Sequence, residues 1–219
     1  MMVIPIGDEN RRGAPRPYVN ILFVAINVLV FLYELTLSQT GLESFFLRFG
    51  AVPAQIQQRQ DLYTLVTSQF IHGGFLHIIG NMFFLWVFGD NIEAALGHLL
   101  YAVFYLGAGI LAGVTEVLFT LGSTIPAIGA SGAIAGVLGA YIVLFPLREI
   151  RVLIIVIPTR VTAVAFLGIW ALLQLFTGVA SLGVPTASGG VAVWAHVGGF
   201  VTGVTVGTLG RWIHLQRRG

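Results

Sequence analysis

The sequence predicts an all-α polytopic membrane protein, a bundle of six transmembrane helices. Three observations carry this. The 219 residues are 57% hydrophobic and only 9% charged, with a mean hydropathy of +0.91, which leaves too little polar surface for a soluble domain of this length. The apolar residues gather into six runs that can span a bilayer as helices. The arginines fall almost entirely on one side of the arrangement those runs define.

The elements follow in order. Residues 1–17 are expected to be a cytoplasmic N-terminal tail. The first span covers about 19–37, and no small-residue cleavage site precedes it, so it reads as a retained helix rather than a secretory signal. Residues 38–74 mix Phe45, Phe46, Leu47, Phe49 and Val52 with Glu43, Arg48, Gln55 and Asp61, which predicts an amphipathic first loop half-buried at the outer interface. The remaining spans cover about 75–95, 98–120, 129–146, 161–179 and 191–213, so that 18–215 forms one membrane domain. The stretch VLIIVIPT (152–159) is too short to cross alone and carries Pro158; it reads as interfacial, or as a lead-in to the fifth span. No internal repeat of 20–50 residues is visible.

With six spans, Arg11, Arg12, Arg16, Arg148, Arg151, Arg160, Arg211, Arg217 and Arg218 share one side, against Arg48 and Arg59 on the other. This predicts both termini in the cytoplasm. It also favours an even count, because an odd one would split the two arginine-rich ends. The pI near 9.3 is then a topology signal and not a nucleic-acid footprint. A compact chain without a transit peptide points to a prokaryotic plasma membrane.

Several chemistries lack their material. There is no cysteine, so disulfides and thiolate catalysis are excluded. No H-E-x-x-H occurs. His72 and His77 are five apart, expected on different helix faces and a poor metal pair; no metal or cofactor is expected. Asp8, Asp61 and Asp90 are the only aspartates, too scattered for a paired intramembrane site. A small transporter would need an inverted repeat and a charged pathway, and neither is present. Asp90 and Glu93, at the inner end of the second span, read as structural.

Polar side chains inside spans are costly and mark functional positions by default. The second span opens with HGGFLHIIGN, placing His77 and Asn81 four apart on one helix face. The fourth opens at Ser131 and the sixth carries His196 in VWAHVGG. All three spans run inward from the outer side, so the four residues lie at one shallow depth. Gly132, Ala135, Gly136 and Gly139 form a small-residue face, as do Gly199, Gly203 and Gly207 on the sixth span. Such faces let helix backbones approach closely in lipid, which brings Ser131 and His196 within reach of each other.

A serine beside a histidine is the minimal unit of nucleophilic acyl transfer. The Ser131 amide, His77 and Asn81 are candidate donors for an oxyanion, and Gly129 and Gly132 would let a substrate backbone come close. Glu116, near the outer end of the third span, is a candidate for orienting the histidine or for reaching the interface. The plainer readings stand beside these: a serine among glycines as packing, a membrane histidine bonded to a carbonyl, G-x-x-x-G as a packing surface.

These motifs resemble those of the rhomboid intramembrane serine proteases. GASGAIAGVLGAY resembles the family's G-x-S-G, HGGFLHIIGNMFFLWVFGDNIE its H-x-x-x-N span, and AHVGGFVTG its A-H-x-x-G helix, over about residues 18–215. The resemblance implies a six-helix core, Ser131 as nucleophile, His196 as base and no catalytic acid. His77, Asn81 and the Ser131 amide would form the oxyanion hole. Substrates would be single-span membrane-anchored proteins cut in or near the bilayer, and the fifth span would be a lateral gate. There are departures. Where many members carry Trp-Arg in the first loop, this chain has Tyr63-Thr64, and Ala135 stands where some carry a tyrosine that stacks on the histidine. A non-catalytic relative that binds transmembrane helices is the alternative, against which the intact Ser131 and His196 pair argues.

Overall fold

The computed structural model describes residues 3–8, 15–155, 157–182 and 192–216. Arg11, Arg12, Arg217, Arg218 and the first residue of the expected sixth span lie outside them. The described chain is mostly helical. Helix α1 is Tyr18–Glu34; α2 (Gln39–Phe49), α3 (Pro53–Gln57), α4 (Thr64–Thr67) and a 3₁₀ turn (Ser68–Phe70) build the first loop; then come α5 (Phe75–Leu96), α6 (His98–Phe119), α7 (Ser131–Leu144), α8 (Ala163–Ser181) and α9 (Val193–Gln216).

Among the described residues, α5, α6 and α8 are long and apolar enough to cross a membrane; α1 and α7 are apolar but shorter. The expected first span runs past the end of α1 because residues 35–37 turn and Ser38 caps α2, accepting from the Gly41 amide at 3.2 Å. The expected fourth span is trimmed at both ends. Gly129 adopts φ +123° before the helix starts, and Pro146 follows it, disfavouring helical backbone at Phe145.

The centre of the bundle is α7, with ten of its 14 residues buried. Around it stand α5, α6, α8 and α9. Its closest partner is α9, and the reason is the absence of side chains. A methyl on Gly199 would overlap the carbonyl oxygen of Gly132, and one on Gly203 that of Gly136. Helix α1 is seated by Glu93, whose carboxylate accepts from the amides of Val19 at 2.9 Å and Asn20 at 2.7 Å. These are first-turn donors with no partner inside their own helix, so Glu93 has the structural role the sequence implies.

One expectation is corrected: the described residues are not all helix and connection. The N-terminal tail contains a strand, β1 (Val3–Asp8), and VLIIVIPT, which does lead into α8, is extended. It belongs to a hairpin of β2 (Glu149–Ile154) and β3 (Ile157–Thr162), joined by β1 into an antiparallel sheet of order β1-β2-β3. The β-branched run from Ile150 favours extended backbone, and pairing satisfies the polar groups that a short apolar helix would leave open. The sheet is tied to the bundle by Asp8, whose carboxylate accepts from Tyr141 Oη on α7 and from Asn91 Nδ2 on α5.

The first loop is packed onto the bundle. Ala51 and Ala127 exchange backbone hydrogen bonds at 3.0 and 2.9 Å. Tyr63, at the departure from Trp-Arg, donates its hydroxyl to the Arg48 carbonyl at 2.9 Å.

Candidate active site

Ser131 is the first residue of α7 and His196 the fourth of α9. The crossing at Gly132 and Gly199 sets the two helix starts side by side. His196 Nε2 lies 2.8 Å from Ser131 Oγ. The imidazole is buried, with 7% of its residue surface exposed. Its other nitrogen, Nδ1, lies 2.9 Å from Oε1 of Gln174 on α8. An amide oxygen can only accept, so Nδ1 carries the proton and Nε2 presents a lone pair to the serine hydroxyl. Trp170, one turn earlier on α8, packs its ring 5.9 Å from the imidazole centroid.

His77 and Asn81 project from α5 into the same place. The Gly73 amide donates to His77 Nδ1 at 3.3 Å, so the neutral ring carries its proton on Nε2. A methyl on Gly129, just ahead of Ser131, would come within 2.7 Å of that Nε2 and 3.7 Å of Asn81 Nδ2. Asn81 Nδ2 is buried with no hydrogen-bond partner among the described residues. The Gly129 amide is held by the Ser68 carbonyl at 2.9 Å, which fixes the turn into α7. His77, Asn81, Ser131, His196, Trp170 and the 125–128 segment line one cavity of about 630 Å³.

Every site residue singled out in the sequence is therefore in this neighbourhood. Gly129 leads into Ser131, Gly132 and Gly199 form the crossing above, and Gly203 packs one turn further in. Two readings change. Glu116 does not touch the imidazole; its carboxylate accepts from the Ala195 amide at 2.9 Å and so caps α9 one residue before His196. His72 precedes α5 rather than sharing a helix with His77, and the two rings meet edge to face at 5.0 Å. Among the described residues no group of three or more His, Cys, Asp or Glu could hold a metal. The residues that sequence reasoning missed are Gln174 and Trp170. Their only signal was an i, i+4 polar–aromatic pair on the fifth span, without a partner spacing to interpret it.

A helical membrane protein with a serine and a histidine bonded across two helix starts is the class these features define. The rhomboid domain model matches residues 59–213, and this chain belongs to the rhomboid family. It is 33% identical over 126 residues to "Rhomboid protease GluP" of Bacillus subtilis (strain 168), covering 57% of this chain and 24% of that protein. It is 31% identical over 145 residues to "RHOMBOID-like protein 4" of Arabidopsis thaliana, covering 66% of this chain and 33% of that one. It is 29% identical over 148 residues to "Rhomboid protein 1, mitochondrial" of Saccharomyces cerevisiae, covering 66% of this chain and 40% of that one. The chain thus spans well under half the length of these curated relatives.

Proposed function

We propose that this protein is an intramembrane serine endopeptidase that cuts single-span, membrane-anchored proteins within or near the bilayer, with Ser131 as nucleophile and His196 as base. The observation that carries the reading is the 2.8 Å contact between His196 Nε2 and Ser131 Oγ on the wall of an open cavity, facing the unpartnered amide of Asn81. As Oγ attacks the scissile carbonyl carbon, its proton passes to Nε2. The carbonyl oxygen becomes an oxyanion, and the amides of Ser131 and Asn81 and the Nε2–H of His77 are the donors for it. Collapse expels the amine, which takes the proton from Nε2, and water repeats the sequence on the ester. No cofactor and no metal take part in this chemistry.

Six helices in 18–215 form the membrane domain of this proposal. The arginine asymmetry supports cytoplasmic termini and a cavity open to the opposite side, in a prokaryotic plasma membrane. Helix α7, at 14 residues, is only about 21 Å long against roughly 30 Å of hydrocarbon. With the inner end of α7 near the arginine-rich face, Ser131 lies roughly 9 Å below the outer edge of the hydrocarbon, and the cavity above it admits water. The intact pair weighs against the reading of a non-catalytic protein that holds transmembrane helices.

The test is labelling of detergent-purified protein with a fluorophosphonate, located by mass spectrometry, beside Ser131→Ala and His196→Ala. Label on Ser131 that vanishes in both variants is the expected result. Folded protein that takes no label, or that labels equally without His196, overturns the proposal in favour of helix binding.

A further inference from the structure

Two nitrogens of His196 are held from opposite sides, and only one of the holders lies on the tightly packed α7–α9 pair. We propose that Gln174 is a positioning residue for His196: its side-chain oxygen selects the tautomer that can act as a base, and because it rides on α8, that selection depends on α8 being docked. This rests on the reading of Ser131 and His196 above.

The reasoning starts from the ring. A neutral imidazole has one N–H, and without a fixed acceptor it can place that proton on either nitrogen. With the proton on Nε2, the ring would present a donor to Ser131 Oγ and could not take the hydroxyl proton. Gln174 Oε1, 2.9 Å from Nδ1, stabilises the opposite form and keeps the Nε2 lone pair on the serine. When the serine proton arrives on Nε2, Nδ1–H stays bonded to Gln174, so the ring does not turn while it carries two protons. Trp170 borders the ring on the same face of α8, at 5.9 Å between centroids and 38° between planes. Ala135, one turn after Ser131, is too small to restrain it from the α7 side.

The location of Gln174 gives this contact its second property. About 17% of the most apolar stretch of α8 is buried, against 44% for α5 and 39% for α6, and only Ala163, Leu167 and Gly178 of α8 are buried. The helix that carries the tautomer selector is the least enclosed of the three long apolar ones. A displacement of about 1 Å takes the 2.9 Å bond beyond hydrogen-bond range. Ser131 and His196, on the glycine-packed pair, stay where they are. The base is thus competent with α8 seated and loses its tautomer preference when α8 is displaced.

The experiment is side-chain ¹⁵N NMR of the full-length protein labelled at histidine, in detergent micelles, with His196→Ala giving the assignment. The wild type is expected to carry the His196 proton on Nδ1. Gln174→Leu is expected to populate the Nε2–H form, and its maximal fluorophosphonate labelling rate to fall about tenfold with unchanged probe affinity, the size of one lost neutral hydrogen bond. Gln174→Glu keeps an acceptor oxygen and should restore both the tautomer and most of the rate, which a purely packing role for Gln174 would not require. A wild-type ring with its proton on Nε2, or a Gln174→Leu ring unchanged in tautomer and rate, overturns the proposal. The tautomer is read without any turnover, so failure here is distinct from failure of the protease reading, which the Ser131→Ala comparison decides.

Discussion

Adding one methyl group at Gly203 tests whether the close crossing of α7 and α9 places the serine and histidine. A Cβ there would lie 2.7 Å from the carbonyl carbon of Gly136 and 2.8 Å from the amide nitrogen of Ala140, and would overlap the Gly136 carbonyl oxygen. All of these are backbone atoms, so no rotamer change can relieve the clash. Carbon pairs rest at about 3.7 Å, and α9 must therefore withdraw by at least about 1 Å. Transmitted along a rigid helix, that stretches the 2.8 Å contact between His196 Nε2 and Ser131 Oγ to about 3.8 Å, past hydrogen-bond range. A misplacement of this size costs about 10²-fold in rate, and the overpacking about 1–3 kcal/mol in stability. The assay is the fluorophosphonate labelling rate of Gly203→Ala, with thermal unfolding in the same micelles. Gly107→Ala, where a methyl meets nothing within 4 Å, is the control. A Gly203→Ala protein that labels and unfolds like wild type would refute the argument that the glycine face sets the geometry.

Asn81→Ala removes a buried amide donor that no described residue uses; peptide cleavage should fall about 10²–10³-fold while the thermal midpoint holds or rises, and equal losses in rate and stability would mark Asn81 as packing. His72, buried just ahead of α5, has its imidazole pushed down from 6.5 to about 3, by desolvation first and by the neighbouring His77 second. The unfolded chain therefore binds this proton more readily than the folded one. Stability is fully present above pH 6.5 and falls by about 1.4 kcal/mol per pH unit below it, so unfolding midpoints measured from pH 7 to pH 4 should slope less in His72→Gln than in wild type.

What the sequence made legible followed from short-range periodicity. His77 and Asn81 share a helix face because they are four apart, and the glycines at 199 and 203 predicted a close helix crossing because small residues recur every turn. Those patterns needed only α-helical geometry to interpret. Gln174 was not legible for the opposite reason: a single amide in an apolar helix has no periodic partner, and its contact with His196 depends on how α8 leans on α9. Glu116 lies in the last turn of its helix, as its place in the third span implied, but which of two nearby groups a carboxylate bonds depends on positions of about an ångström. The hairpin was missed because a run of apolar β-branched residues reads alike as membrane segment and as strand until its pairing partner is known.

That partner has a consequence for the order of assembly. Strand β1 is made before every helix of the bundle, yet β2, which pairs with it from Asp8↔Ile150 to Val3↔Ile154, emerges roughly 145 residues later, about 7–30 s at ordinary translation rates. Until then its edge has nothing to bond, and Asp8 cannot reach Tyr141 on a helix not yet made. The sheet therefore closes only after α1, α5, α6 and α7 have been made, and its closure ties a strand that precedes α1 to the far end of the helix that begins with Ser131. Chains that stall before Glu149 would hold β1 with its edge unpaired, a form that distinguishes incomplete copies from finished ones.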